Sequence, residues 1–107
     1  MELNIRIEHD KREYFRVCMP VFQALSDEHR LEILFMLMEG GTLNVKQISA
    51  QMSISRPAIS HHLKILRQAD IVKFTKEGTK KYYSLNRGYG NPLQKMREMA
   101  LSLAIEN

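Results

Sequence analysis

Residues 53–66 read Ser53-Ile54-Ser55-Arg56-Pro57-Ala58-Ile59-Ser60-His61-His62-Leu63-Lys64-Ile65-Leu66, and a basic segment rich in branched and aromatic residues follows within a few positions. Ser55 can cap a helix, and Pro57 falls in its first turn, where the amide it lacks would have no intrahelical partner. At about 100° per residue, Ile59, Leu63 and Leu66 share one narrow sector, and Pro57, His61, Lys64 and Gln68 lie opposite, with Ala58 and Ser60 on the flanks. The inner three anchor the helix. The outer set is short, neutral or basic and holds no carboxylate, so this edge can approach a DNA major groove without like-charge repulsion.

Working back from this helix, Ser53-Ile54-Ser55 forms a tight turn after a supporting helix. Thr42 or Asn44 caps that helix, which runs to about Met52 with Val45, Ile48 and Met52 at helical spacing. Helix, turn, helix is the result. Before it, Ser26 or Asp27 caps another helix with Glu28 in its first turn; Leu31, Leu34, Met38 and Phe35 are expected to face inward, and Gly40-Gly41 ends it. Helical content is plausible over Lys11 to Leu25, but Pro20 is expected to break it and to open a short helix Val21 to Leu25. Leu3, Ile5 and Ile7 alternate with polar residues, which suggests a short strand or extended arm.

Downstream, Ile71-Val72-Lys73-Phe74-Thr75 and Lys80-Lys81-Tyr82-Tyr83-Ser84-Leu85 flank a Gly78-containing turn, the pattern of an antiparallel hairpin. Tyr82 and Tyr83 are strand neighbours and must face opposite ways. After a loop over Asn86 to Gly90, Asn91 and Pro92 start a last helix. Its Leu93, Met96, Ala100, Leu103 and Ala104 form one stripe opposite Lys95, Glu98, Ser102 and Glu106. The fold class expected is mainly α with a two-stranded β-hairpin wing. Residues 1–19 read as an N-terminal arm and dimerisation segment, and residues 20–107 as the helix-turn-helix domain with its terminal helix.

Length and composition bound the function. A chain of 107 residues supports one hydrophobic core, and no apolar run reaches the roughly 20 residues of a membrane span. The N-terminus lacks the apolar segment of a secretory signal, so a cytoplasmic location is expected. Cys18 is the single cysteine, which excludes an intrachain disulfide and a thiolate-rich cage. Seven methionines are read as core filler. From Arg56 to Lys81 there are seven basic residues against Asp70 and Glu77, an excess of five in a chain of net charge +4, so the remainder sums to −1. Positive charge focused on one segment points to a polyanion.

The candidate DNA-binding residues are Ser55, Arg56, Pro57, Ser60, His61 and Lys64 of the recognition helix, Lys46 of the supporting helix, and Lys76, Lys80 and Lys81 of the hairpin. Arg56, at a helix N-terminus, can grip a phosphate or reach a guanine edge. His61 can donate to or accept from a base edge; His62, nearer the core sector, reads as a packed, hydrogen-bonded histidine. The hairpin lysines should add affinity more than specificity.

The run Phe22-Gln23-Ala24-Leu25-Ser26-Asp27-Glu28-His29-Arg30-Leu31-Glu32-Ile33-Leu34, the segment Ser55 to Leu66 and the hairpin Lys76 to Leu85 together resemble the ArsR-type winged helix-turn-helix repressors over roughly Phe22 to Leu85. The resemblance implies a homodimeric cytoplasmic repressor with double-stranded DNA as partner and dimer contacts from the first and last helices. Candidate dimer residues are Tyr14, Phe15, Cys18, Leu93, Met96, Ala100 and Leu103. Where arsenic-sensing members carry a Cys-Val-Cys arrangement, this chain has Asn44, Val45 and Lys46, and Lys46 is no soft ligand. Where zinc-sensing members carry Asp and His on the last helix, residues 91–107 hold neither. No metal and no cofactor are therefore expected, and any inducer is left unidentified.

Two other readings fit the same residues: a winged-helix protein-interaction module, and a repressor sensing metal or oxidant through a non-standard site of Cys18, His9 and His29. An enzyme fits poorly. There is no nucleophile with a base at recognisable spacing and no phosphate-cradling glycine loop.

Overall fold

The computed structural model describes the backbone of residues 2–105, with side chains from residue 12 onward except Tyr14. Among the described residues five helices and three strands follow one another: α1 (Glu2–Leu25), α2 (Glu28–Gly40), β1 (Leu43–Asn44), α3 (Val45–Ser49), α4 (Arg56–Gln68), β2 (Val72–Glu77), β3 (Lys80–Leu85) and α5 (Pro92–Ile105). No described helix is long and apolar enough to cross a membrane.

Residues 2–10 are helical, not an extended arm. An isolated extended segment has no ladder to receive its amides and carbonyls, whereas a helix satisfies its own. Nor does Pro20 break the chain: α1 runs through it as one helix of 24 residues. The proline removes one donor, the one that would reach the carbonyl of Arg16. Both Pro20 and Arg16 are exposed, so water can serve that carbonyl, and packing against α5 keeps the helix continuous.

Asp27 caps α2, its side chain accepting from the amides of His29 and Arg30. That start sets the helix phase, and the residues it buries are Ile33, Leu34 and Leu37. Phe35 and Met38, expected inward, stand 56% exposed instead. Asn44 and Gln47 cap α3 reciprocally, each side chain accepting from the other's amide at 2.8 Å. The helix is one short turn that ends at Ser49, before the expected Met52.

The core is a single cluster in which Ile59, Leu63 and Leu66 of α4 are wholly buried together with Ile33, Ile48 and Ile71. Around α4 this makes the helix-turn-helix rigid. Its C-terminus closes in a Schellman arrangement, Ile71 amide to Leu66 carbonyl and Asp70 amide to Arg67 carbonyl, with Asp70 at φ 59° where glycine is the usual residue.

The hairpin is joined by a strand that sequence patterning did not anticipate. β1 pairs antiparallel with β3, Leu43 opposite Tyr83 and Asn44 opposite Tyr82, giving the order β1-β3-β2. Two residues cannot announce a strand by periodicity. Gly78, at φ 63°, opens the two-residue turn between Glu77 and Lys80. Of the two tyrosines, Tyr83 is the buried one.

Among the described residues of α5 the buried one is Met99, which the expected stripe omitted. α5 lies against α1, with Leu93 and Met96 packed on the core of their own subunit and Ala100, Leu103 and Ala104 exposed.

Candidate nucleic-acid interface

Between α4 and the wing lies a cleft of about 520 Å³ whose lining includes Lys46, Arg56, Ser60, Lys64, Arg67, Thr79, Lys80 and Lys81. Six of these carry positive charge and none carries a carboxylate. Its floor is uncharged, formed by Asn44, Val45 and Tyr83. Burial pushes the Tyr83 phenol above its ordinary range, with Arg67 opposing, so it stays protonated.

The helical geometry explains the selection. Arg56, Ser60, Lys64 and Arg67 recur at spacings of four, four and three, so they form one stripe facing the wing. Pro57, His61 and Gln68 lie further round, on the edge opposite the buried Ile59, Leu63 and Leu66, and all three are exposed. Lys64 belongs to both edges. Ser55 spends its side chain on the cap, accepting from the Ala58 amide at 3.2 Å. Lys76 is exposed on β2 and not part of the cleft lining.

The structure thus gathers Lys46, Arg56, Ser60, Lys64, Lys80 and Lys81 around one cleft and leaves Ser55, Pro57, His61 and Lys76 outside its lining. Sequence reasoning missed Arg67 and Thr79. Arg67 could have been found by following the stripe from Arg56 by helical steps. Phe74 sits under two of the lining cations: the Arg67 guanidinium carbon lies 5.2 Å and the Lys81 Nζ 4.8 Å from its ring centre. Two cations held over one ring are spaced without a carboxylate that would compete with phosphate.

The opposite flank of α4 carries His62, half-buried. Its Nδ1 lies 3.3 Å from Arg30 Nη1; the guanidinium can only donate, so Nδ1 accepts. Burial pushes this imidazole below its ordinary range, Asp27 pulls it up, and Arg30, His29 and His61 push it down. The Asp27 carboxyl is held low, first by the backbone hydrogen bond from Arg30.

Of the expected dimer residues, Phe15, Ala100 and Leu103 are exposed, and Cys18 is fully buried inside its own chain. The side chain of Tyr14 lies outside those described. Further exposed apolar residues on the same two helices are Val17, Met19, Leu101 and Ile105. Of the proposed sensing trio, His29 lies beside Asp27 and His62 and Cys18 is fully buried, while the side chain of His9 lies outside the described residues.

The model of the bacterial regulatory proteins of the arsR family matches residues 27–73. The chain is 46% identical over 66 residues to the transcriptional repressor SdpR of Bacillus subtilis (strain 168), spanning 62% of this chain and 72% of that protein. It is 34% identical over 80 residues to the arsenical resistance operon repressor of the same strain, spanning 75% and 76%. Among solved structures, an ArsR-like transcriptional regulator from Rhodococcus sp. RHA1 superposes with a TM-score of 0.73 at 29% identity, covering 84% of this chain and 79% of that one.

Proposed function

The chain belongs to the ArsR family of bacterial regulatory proteins, and from that premise we propose that it is a DNA-binding transcriptional repressor acting as a homodimer on a near-palindromic operator. The observation that carries this reading is the carboxylate-free cleft between α4 and the wing. Its cations suit one phosphate strand, while the edge of Pro57, His61 and Gln68 faces base edges in the major groove.

A two-fold dimer through α1 and α5 sets two copies of α4 about 34–36 Å apart, one turn of duplex. The exposed apolar residues Phe15, Val17 and Met19 on α1 and Leu101 and Leu103 on α5 support that contact. Promoter occlusion is then sufficient for repression.

The DNA-binding form is the metal-free protein. Neither familiar metal position of the family has ligands here: Asn44, Val45 and Lys46 stand at one, and residues 91–107 contain no Asp or His. Arg30 already supplies a cation beside His62, so α4 is held in place without an ion.

The test is fluorescence anisotropy with duplexes from the chain's own promoter region, with and without chelator. Binding that weakens steeply with salt and ignores the chelator is expected. A flat salt response, or no preference for any duplex over random DNA, overturns the reading.

A further inference from the structure

Away from the cleft, on the flank of α4 that faces α2, three metal-competent side chains converge. Asp27, His29 and His62 each offer one donor atom, and these atoms all lie within 4.8 Å of one another. We propose that these three residues form a binding site for a divalent transition-metal ion of the zinc type, bridging the first turn of α2 to the recognition helix.

The donor set carries the choice of ion. Two imidazoles and one carboxylate are borderline nitrogen and oxygen ligands, which suit zinc, cobalt or nickel and suit calcium or magnesium poorly. With metal–ligand bonds of about 2.0–2.1 Å, tetrahedral donors stand about 3.4 Å apart, so the cluster must close by little more than an ångström. His29 can supply that movement. It is exposed on the first turn of α2, and its ring centre already lies 5.6 Å from that of His62. Three protein ligands leave the fourth position open to water.

The surroundings are those of a supported site. Asp27 Oδ1 accepts from the amides of His29 and Arg30 at 2.9 and 3.1 Å, which fixes the carboxylate's direction. A cation already sits beside two of the three donors: Arg30 Nη1 is 3.3 Å from His62 Nδ1 and 4.0 Å from Asp27 Oδ2. Arg30, on α2, has other anchors in the α1 carbonyls of Ala24 and Gln23, and so can keep its side chain against α1 when an ion takes over the imidazole. The neighbouring guanidinium weakens the site by charge repulsion, so the ion must displace it from the imidazole to bind.

Loading would couple α2 to α4 through His62, adjacent in sequence to His61 on the groove edge. Binding of the ion to the DNA-free protein is independent of the repressor reading, so the two can fail separately.

The experiment is titration of the full chain, without DNA, by zinc chloride in a calorimeter and by cobalt chloride in the visible. One ion per subunit and tetrahedral cobalt bands are expected. His29→Ala should lower affinity by at least about a hundredfold, the upper end of what even outer-shell losses cause, with thermal unfolding unchanged because His29 makes no core contact. His62→Gln should do the same, and His9→Ala should leave binding intact. No binding by the wild-type chain, or equal zinc affinity in wild type and His29→Ala, overturns the proposal; loss of binding in His9→Ala overturns it too, by moving the site to the N-terminus.

Discussion

Lys76 of β2 stands directly opposite Lys81 of β3 in the wing ladder. Two like charges at facing positions destabilise a hairpin, and here they are kept beside a cleft that already concentrates positive charge. A wing selected for stability alone would carry an acid at one of these positions, as it does one step nearer the turn, where Glu77 faces Lys80.

Lys76→Glu should therefore separate stability from binding. Replacing repulsion by attraction is expected to raise stability in urea by about 0.2–1 kcal/mol. Duplex affinity at low salt should fall about tenfold or more, since one cation is lost and one anion gained. A variant both more stable and equally tight-binding would remove Lys76, though not the cleft-lining Lys80 and Lys81, from the interface.

Salt dependence distinguishes the roles of the cations. Each phosphate contact contributes a slope of about −0.9 in log affinity against log salt. Lys80→Ala with Lys81→Ala should flatten the slope by about 1.8 and weaken all duplexes alike, whereas His61→Ala should change which duplex is preferred. Competition binding across a set of operator variants reads both effects. If the lysine pair redirects sequence preference, the division between the backbone-gripping wing and the base-reading helix edge is wrong.

How much of this was legible beforehand follows from the range of the forces involved. Local chemistry was readable: the Ser55 cap, the turn at Gly78 and the inner trio Ile59, Leu63 and Leu66 all depend on neighbours within a few residues. Long-range placement was not. Arg67 joins the cleft only because the wing folds back to set Phe74 beneath it, and His29 meets His62 only because α2 packs on α4. Pro20 misled for the same reason: propensity forbids it in a helix interior, and packing of α1 on α5 overrides propensity where the orphaned carbonyl faces water.

The caps give a stability test. Asp27→Ala removes the acceptor for two amides and the carboxylate beside Arg30 and His62, so it should cost about 1–2 kcal/mol, toward the upper part of the range for lost caps. Ser55→Ala removes one longer bond and should cost about 0.5–1 kcal/mol. Metal-free urea unfolding of both variants checks the order, and equal losses would show that the Asp27 network adds nothing beyond a cap.

The apolar residues left on α1 and α5 predict association. Phe15 and Leu103 are each nearly half exposed, so replacing either with Asp should leave subunit folding intact while shifting sedimentation to the monomer. Operator binding should fall in parallel, because two half-sites can no longer be engaged together. Dimers that persist in Phe15→Asp/Leu103→Asp would place the contact elsewhere.

Cys18 tests the oxidant-sensing alternative. Its side chain is fully buried, and burial pushes the thiol above its ordinary range, with Lys95 opposing only in part. The thiolate is the reactive form, so at neutral pH less of it exists than in an exposed cysteine, and a reagent must also wait for the helix to open. Labelling of native protein by a thiol reagent should be slow at neutral pH and should speed up as pH rises. In denaturant it should become fast. Peroxide treatment should accordingly leave duplex affinity unchanged in both wild type and Cys18→Ser; rapid native labelling together with peroxide-induced release from DNA, absent in Cys18→Ser, would make this cysteine the sensor.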